Sequence, residues 1–174
     1  MNENGLYTIK DKFFEDFPDK YLKGNKEGNR PHYYSFKDKK TGLNWVIPCT
    51  TKVQRCRNIE AKDIKKYGRC DKFHFIYFGK KENVILIQDM FPITEEYIDR
   101  EYEIFGKPWI IKSKKELMEI ETKVKRIMKL IRNNVNYMPT RADVLKIEQE
   151  LISKIGGIES NIIAEVAITE SETL

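Results

Sequence analysis

The sequence predicts an α+β fold: one compact domain in which an antiparallel sheet is packed by helices. The chain has 174 residues, a length at which one domain buries enough surface to form a core. Two pairs of β-prone runs are each separated by a short polar turn that contains glycine, as in β-hairpins. A long segment with apolar residues at intervals of three and four follows, which is the period of an amphipathic helix. These three observations predict the fold class.

The N-terminal part is predicted to contain a short strand and a short helix. Leu6–Ile9 is β-prone, and phenylalanines at helical spacing follow between residues 13 and 17. They predict a helix over Lys10–Phe17 that stops before Pro18, because proline disfavours helical geometry in the residue before it. Lys23–Pro31 contains two Gly, two Asn and one Pro, which predicts a mobile basic loop.

The first hairpin is predicted over Tyr33–Phe36 and Leu43–Ile47, with Lys37–Gly42 as its turn. Pro48 is expected to end the second strand, since proline lacks the N–H that a strand ladder needs. Cys49–Lys52 would then come directly beyond a strand end, where a rigid scaffold presents reactive groups.

A second hairpin is predicted after a short helix over Ile59–Tyr67. Its strands are Lys72–Phe78 and Asn83–Gln88, rich in aromatic and β-branched residues, and its turn is Gly79–Glu82. The segment Glu95–Tyr102 is predicted to be helical.

Two long helices are predicted towards the C-terminus. Ser113 and Glu116 form a capping-box pattern, and apolar residues recur at helical spacing from there to residue 131. Thr140 is predicted to cap a final helix over Arg141–Ile155.

Net charge is unevenly distributed along the chain. The whole sequence carries 32 basic and 27 acidic residues, a formal net charge of +5. Residues 1–142 carry 30 basic and 20 acidic residues, whereas residues 143–174 carry 2 and 7. A basic body suits a polyanionic partner, although a well-solvated surface of mixed charge explains it as well. We expect residues 1–155 to form the domain and residues 156–174 an acidic tail.

Several classes of site are disfavoured. The three cysteines form no CxxC pair, which argues against a disulfide framework or a structural zinc site. The two histidines lie in no HExxH-type pattern, so neither a metal nor another cofactor is predicted. The GxxxxGK[ST], GxGxxG and GxSxG patterns are also missing.

No run is apolar enough to span a membrane and no secretory pattern is seen, so a cytoplasmic protein without a membrane partner is expected.

The remaining reactive side chains are concentrated between residues 23 and 57, where hydroxyls, a lysine, arginines and a histidine are collected. This set suits cleavage of RNA without a metal, because RNA carries its own nucleophile, the 2′-hydroxyl. An enzyme need only align that hydroxyl with the adjacent phosphorus, remove its proton, stabilise the charged phosphorane and protonate the departing 5′-oxygen. Aromatic rings such as Tyr7 and Tyr33 would stack on unpaired bases, although such residues are also typical of strand cores.

Four short motifs resemble those of one protein family. They are Leu6-Tyr7-Thr8-Ile9, Arg30-Pro31-His32-Tyr33, the segment WVIPCTTK from Trp45 to Lys52, and Met90-Phe91-Pro92-Ile93. Together they resemble the ToxN, AbiQ and CptN family of type III toxin–antitoxin endoribonuclease toxins, with the CptN branch the most similar. The resemblance runs from Leu6 to Ile152.

The resemblance implies a strongly twisted antiparallel sheet akin to the Kid and MazF toxins. It implies metal-independent cleavage of A-rich RNA, cellular or phage, that leaves a 2′,3′-cyclic phosphate. It also implies inhibition by a small pseudoknotted antitoxin RNA, with which the toxin forms a closed multi-subunit complex. Neither DNA nor a cofactor is implied.

The same resemblance assigns roles to particular residues. In the family, a strand is followed by hydroxyl side chains and a lysine, which correspond here to Thr50, Thr51 and Lys52. The family's proline in this segment is missing from this sequence. A second family lysine, before the first hairpin, corresponds to the region of Arg30 and His32. An imidazole exchanges protons near neutral pH, although a lone histidine is more often a structural residue. The residues expected to bind RNA are Tyr7, Lys26, Tyr33, Arg55, Arg57, Lys125 and Lys129. The positive charges of the last two would also complement the dipole of their helix, without any RNA. A non-catalytic RNA-binding module and a protein-interaction domain remain as alternatives.

Overall fold

The computed structural model describes residues 2, 4–25 and 28–156, and it has the predicted α+β architecture with antiparallel strand pairing. The strands of the main sheet are β1 (Leu6–Ile9), β2 (His32–Lys37), β3 (Asn44–Thr50), β4 (His74–Phe78), β5 (Lys81–Ile85), β6 (Phe91–Ile93) and β7 (Ile98–Glu101). They are arranged in the order β4-β5-β3-β2-β1-β7, and β6 pairs with β3 beside this path. A separate ribbon consists of β8 (Glu103–Ile104) and β9 (Lys107–Pro108). The helices are α1 (Asp11–Asp16), α2 (Val53–Tyr67), α3 (Lys114–Arg132) and α4 (144–156).

The described part of the chain contains no helix that is long and apolar enough to cross a membrane. Of the predicted acidic tail, residues 157–174 lie outside the described residues.

Strand β3 lies at the centre of the sheet, and all seven of its residues are buried. One edge of β3 pairs with β2. The other edge changes partner, because its first half pairs with β6 whereas Cys49 and Thr50 pair with β5. The end of β3 therefore lies beside β5, and a 3-10 turn over Ile87–Asp89 follows that strand.

The prediction that Pro48 ends this strand is wrong. β3 continues through Thr50, and the Pro48 carbonyl accepts a hydrogen bond from the Leu86 N–H at 3.0 Å. An N–H at position 48 would point to the same edge of β3 as this carbonyl. At that edge β3 changes its partner from β6 to β5. Proline is tolerated there because the ladder is already interrupted. Only Thr51 and Lys52 lie between the strand and α2.

Two helical predictions also differ from the structure. Helix α2 begins at Val53 rather than at Ile59, and no capping side chain marks its start. Glu95–Tyr102, predicted as helical, is a 3-10 turn over Glu95–Tyr97 followed by strand β7. The strand forms because β1 lies beside it and pairs with its backbone, a long-range interaction that local sequence does not reveal.

The start of α3 is confirmed, whereas that of α4 is shifted. Ser113 Oγ accepts the Glu116 N–H at 3.3 Å, as the capping box predicts. Helix α4 is capped by Asp143 rather than by Thr140, since Asp143 Oδ1 accepts the Lys146 N–H at 3.1 Å.

The main hydrophobic core lies between the sheet and helices α1, α3 and α4. Its largest buried side chains include Trp45 and Phe13, and the Phe13 ring stacks on Phe91 at a centroid distance of 5.1 Å. A smaller cluster lies under α2 and consists of Cys56, Cys70, Phe73, Val84 and Leu86. All three cysteines are free and buried.

Candidate functional site

A cleft of about 170 Å³ lies where β3 passes into α2, and we name it the α2 cleft. The loop before β2, the end of β3, the start of α2 and the 3-10 turn after β5 all contribute to it. It is lined by Lys23, Arg30, Thr50, Lys52, Arg55, Cys56, Ile59, Phe73, Leu86, Gln88 and Asp89. The structure thus brings together four of the predicted site residues: Arg30, Thr50, Lys52 and Arg55.

The start of α2 lies at this cleft, since Lys52, Arg55 and Cys56 line it. Lys52 is the N-cap residue, and the first helical hydrogen bond runs from the Cys56 N–H to the Lys52 carbonyl at 3.3 Å. Within the described residues no side chain caps this end, and the first turn contains no acidic residue. N–H groups at a helix start carry partial positive charge and bind anions, especially phosphate. The exposed side chains of Lys52 and Arg55 add full charges there.

Arg30 supplies a buried positive charge to the same cleft. The residue is only 9% exposed, and its Nε has no hydrogen-bond partner among the described residues. Its backbone is held in place, because the Arg30 N–H donates to the Asn25 carbonyl at 3.1 Å. Burial lowers the pKa of the Arg30 guanidinium, and the nearby Cys49 and Asp89 oppose that effect. A buried guanidinium with an unpartnered N–H is a donor that a bound anion would satisfy.

Asp89 is the one carboxylate among the described residues that line the α2 cleft. Its Oδ2 is buried and has no hydrogen-bond partner in the described part of the chain. Burial raises the pKa of the Asp89 carboxyl, while Lys23, the Gln88 side chain and Arg30 act in the opposite direction. Because the ionised form is disfavoured, this carboxylate is a stronger base than an exposed aspartate. The cleft therefore combines a proton acceptor with anion-binding groups.

Arg30 and Thr50 line both this cleft and a second one of about 390 Å³, which we name the ribbon cleft because the β8–β9 ribbon forms one side of it. Thr50 is buried, and its Oγ1 accepts the Lys52 N–H at 3.3 Å, which fixes the turn into α2. Thr51 is exposed and lines the ribbon cleft together with Thr50 and Arg30. The two clefts thus meet at Arg30 and Thr50.

His32 lies in the core rather than in either cleft. Its side chain is 0% exposed and lies against the rings of Phe91 and Phe14, at centroid distances of 5.7 and 6.4 Å. Burial, together with the charge of Arg30, lowers the pKa of His32 to about 3. The carbonyls of Arg30 and Tyr7 lie near the ring, but neither ring nitrogen makes a hydrogen bond of normal geometry with the described residues. The predicted role of His32 in proton transfer does not fit an inaccessible imidazole that stays neutral.

Tyr7 and Tyr33 are also core residues, each only 3% exposed. The Tyr7 hydroxyl accepts the Asn2 N–H, and the Tyr33 hydroxyl donates to Asn4 Oδ1 at 3.1 Å. Stacking on RNA bases, predicted for both rings, does not fit this burial, because a stacking ring must offer a free face.

Three other predicted RNA-binding residues lie apart from the α2 cleft. Arg57 forms an ion pair with Glu82 of the β4–β5 hairpin. Lys125 lines a separate groove between α3 and β2, and Lys129 is exposed one turn further along α3. Lys26 lies outside the described residues.

Sequence reasoning missed Lys23 and Asp89 as site residues. Asp89 stands in a mostly apolar stretch, VILIQDMFPI. A lone carboxylate in such a stretch marks a candidate functional residue, because its burial is costly. Lys23 has no comparable signal, since its place depends on how the loop is held. Asn25 holds that loop through a side-chain amide that donates to the Ile9 carbonyl.

Comparison with known protein families found no matching family model, and comparison with curated proteins found no significant match. Among the described residues, no group of three or more His, Cys, Asp and Glu side chains is placed to hold a metal ion.

Proposed function

We propose that the protein is a metal-independent endoribonuclease that cleaves RNA at the α2 cleft. One observation carries the proposal: buried Arg30, whose guanidinium is not fully hydrogen-bonded by the described residues, and the uncapped start of α2 lie at the same cleft. Both are donors suited to a phosphate group, and Lys52 and Arg55 add charge beside them. The basic body supports a polyanionic ligand as well, since residues 1–142 carry 30 basic and 20 acidic residues.

Each step of RNA transphosphorylation has a candidate group in the cleft. Asp89 takes the proton of the 2′-hydroxyl, whose oxygen then attacks the adjacent phosphorus. Arg30, Lys52 and the first N–H groups of α2 stabilise the negative charge of the phosphorane, while the hydroxyls at the end of β3 position the phosphate. The departing 5′-oxygen takes a proton from the ammonium of Lys52 or Lys23, and a 2′,3′-cyclic phosphate remains.

The resemblance to the ToxN, AbiQ and CptN toxins supports a more specific form of this proposal. In that form the protein is a cytoplasmic type III toxin that cleaves A-rich cellular or phage RNA. A small pseudoknotted antitoxin RNA inhibits it by occupying the same cleft, in a closed complex with several toxin subunits. The antiparallel sheet would then be a strongly twisted core of the Kid and MazF kind.

The test compares Lys52→Ala with Lys62→Ala. Both variants remove one exposed lysine from the α2 region, but Lys62 does not line the α2 cleft. We expect Lys52→Ala to cleave single-stranded RNA about 100-fold or more slowly than wild type and Lys62→Ala to stay within about twofold. A 2′-deoxy substitution at the scissile nucleotide should block cleavage, and a chelator should leave the rate unchanged.

Equal rates for Lys52→Ala and wild type would contradict the assignment of the α2 cleft. Binding of RNA without any cleavage would instead favour a non-catalytic RNA-binding module. Sequencing of copurified RNA tests the specific form: a short tandem-repeated RNA is expected.

A further inference from the structure

The turn of the β8–β9 ribbon carries an unusually exposed aromatic side chain, Phe105, which is 88% exposed. Its φ is 55° and that of Gly106 is 71°, so both central positions of this two-residue turn are left-handed. Turns of this kind are normally built from Asn-Gly or Asp-Gly, because other side chains are strained there. Phe105 thus combines backbone strain with an apolar ring in water. Nothing in the fold of the ribbon requires a phenylalanine at this position.

The ring of Phe105 is set against a glycine and faces a cavity. A Cβ on Gly79 would lie 3.3 Å from Phe105 Cε2, so the missing side chain leaves room for the ring beside the β4–β5 turn. Phe105 lines the ribbon cleft, whose wall also includes the polar side chains of Asn83 and Glu103. An aromatic face with polar groups around it is the arrangement that holds unpaired bases of single-stranded RNA.

The position of this cavity relates it to the proposed cleavage site. The α2 cleft and the ribbon cleft share Arg30 and Thr50. A strand whose phosphate lies in the α2 cleft would therefore bring its neighbouring nucleotide to the ribbon cleft. The exposed Thr51 and Lys81 also line this second cleft and are available to the sugar and the next phosphate.

We propose that the ribbon cleft is a nucleobase-binding subsite, in which an unpaired base next to the phosphate in the α2 cleft stacks on Phe105. The proposal rests on the proposed function for the position of that phosphate. The subsite accepts every base, and stacking strength makes purines bind more tightly than pyrimidines.

Equilibrium binding of two non-cleavable 2′-O-methyl oligonucleotides tests the subsite. They have equal numbers of phosphates, but one carries bases and the other is abasic throughout. We expect Phe105→Ala to weaken binding of the base-bearing strand about 10- to 100-fold and to leave binding of the abasic strand unchanged. Phe105→Trp should retain wild-type affinity. Tyr67→Ala removes an exposed ring from the end of α2 and should leave both affinities unchanged, so it serves as the control.

Phe105→Asn separates recognition from folding. Asparagine is well suited to a φ of 55°, so this variant should melt about 2 to 4 °C above wild type and still bind RNA as weakly as Phe105→Ala. A lower melting temperature with weak binding would show that the ring acts through the fold, which overturns the proposal.

The outcomes distinguish the subsite from the catalytic function. If wild type cleaves RNA but Phe105→Ala binds both strands as wild type does, the subsite is refuted and the endoribonuclease stands. If the Phe105 effect depends on the bases and wild type does not cleave, the subsite stands and the catalytic proposal fails. Equal weakening on both strands, or no binding of either strand by wild type, refutes the subsite.

Discussion

Replacement of His32 by methionine is expected to make the protein less sensitive to acid. The imidazole is fully buried with a pKa of about 3, whereas that of histidine in an unfolded chain is about 6.5. Between these values the unfolded state binds a proton that the folded state excludes, so folding stability falls as the pH falls from about 6.5 towards 3. Methionine has a similar volume and no proton to bind, so this contribution disappears in the variant.

The size of the effect follows from the pKa of His32. A pH of 5 is about 1.5 units below the pKa of histidine in the unfolded chain, so the unfolded imidazole is mostly charged, while the folded one stays neutral. This difference lowers the free energy of unfolding at pH 5 by about 2 kcal/mol. His74, whose pKa is about 4 because of its burial, adds a similar loss of about 2 kcal/mol in both proteins. Wild type should therefore lose about 4 kcal/mol through its histidines between pH 7 and pH 5, and His32→Met about 2 kcal/mol.

Urea unfolding of both proteins at pH 5, 6 and 7 measures this difference. The raised pKa of Asp89 contributes a slope of opposite sign, but it does so in both proteins and cancels in the comparison. At pH 7 the variant should be at least as stable as wild type, because two buried nitrogens without hydrogen-bond partners in the described residues are removed. Parallel stability curves for the two proteins, or a variant that is much less stable at pH 7, would refute the reasoning.

Three further substitutions test the site and the fold. Asp89→Asn should lower kcat/KM for RNA cleavage about 100- to 10,000-fold, as expected for loss of a general base. The same variant should unfold at higher urea at pH 7, because the raised pKa of Asp89 shows that its ionised form is disfavoured in the fold; full activity would contradict the base assignment. Arg132→Ala should destabilise the protein by about 2 to 3 kcal/mol, since it leaves the buried Glu148 unpaired and Arg132 is itself partly exposed. Lys125→Ala, which breaks an exposed ion pair, should cost no more than about 0.5 kcal/mol in the same urea titration.

Local patterns predicted those elements that local interactions determine. Strand β1 has the bounds Leu6–Ile9 that its β-prone residues indicate, and α3 begins with the predicted Ser113 cap. Strand β7 was not predictable in this way, because its backbone is satisfied only by pairing with β1, far away in the sequence. The start of α2 escaped prediction for a related reason: Lys52 at the N-cap position is not a capping residue.

Of the four predicted residues that line the α2 cleft, all but Arg30 are close together in the sequence. Thr50, Lys52 and Arg55 follow one another along the chain, so one strand end brings them together. Asp89 reaches the same cleft only through the pairing of β3 with β5. Polar–apolar alternation did not reveal the burial of His32 and Tyr33, because consecutive residues of β2 are buried, although the strand core was one of the alternatives for Tyr33.

Four residues that line the two clefts share one property: each is unfavourable to the fold at its position. Lys52 stands where a capping side chain would stabilise α2, Arg30 and Asp89 carry charge into a buried cleft, and Phe105 strains a turn that asparagine would relax. At scattered positions on the surface, each of these residues would only lower the stability of the protein slightly. Their concentration along the walls of the two clefts supports the proposal that this region binds and cleaves RNA, because stability alone favours a different residue at each position.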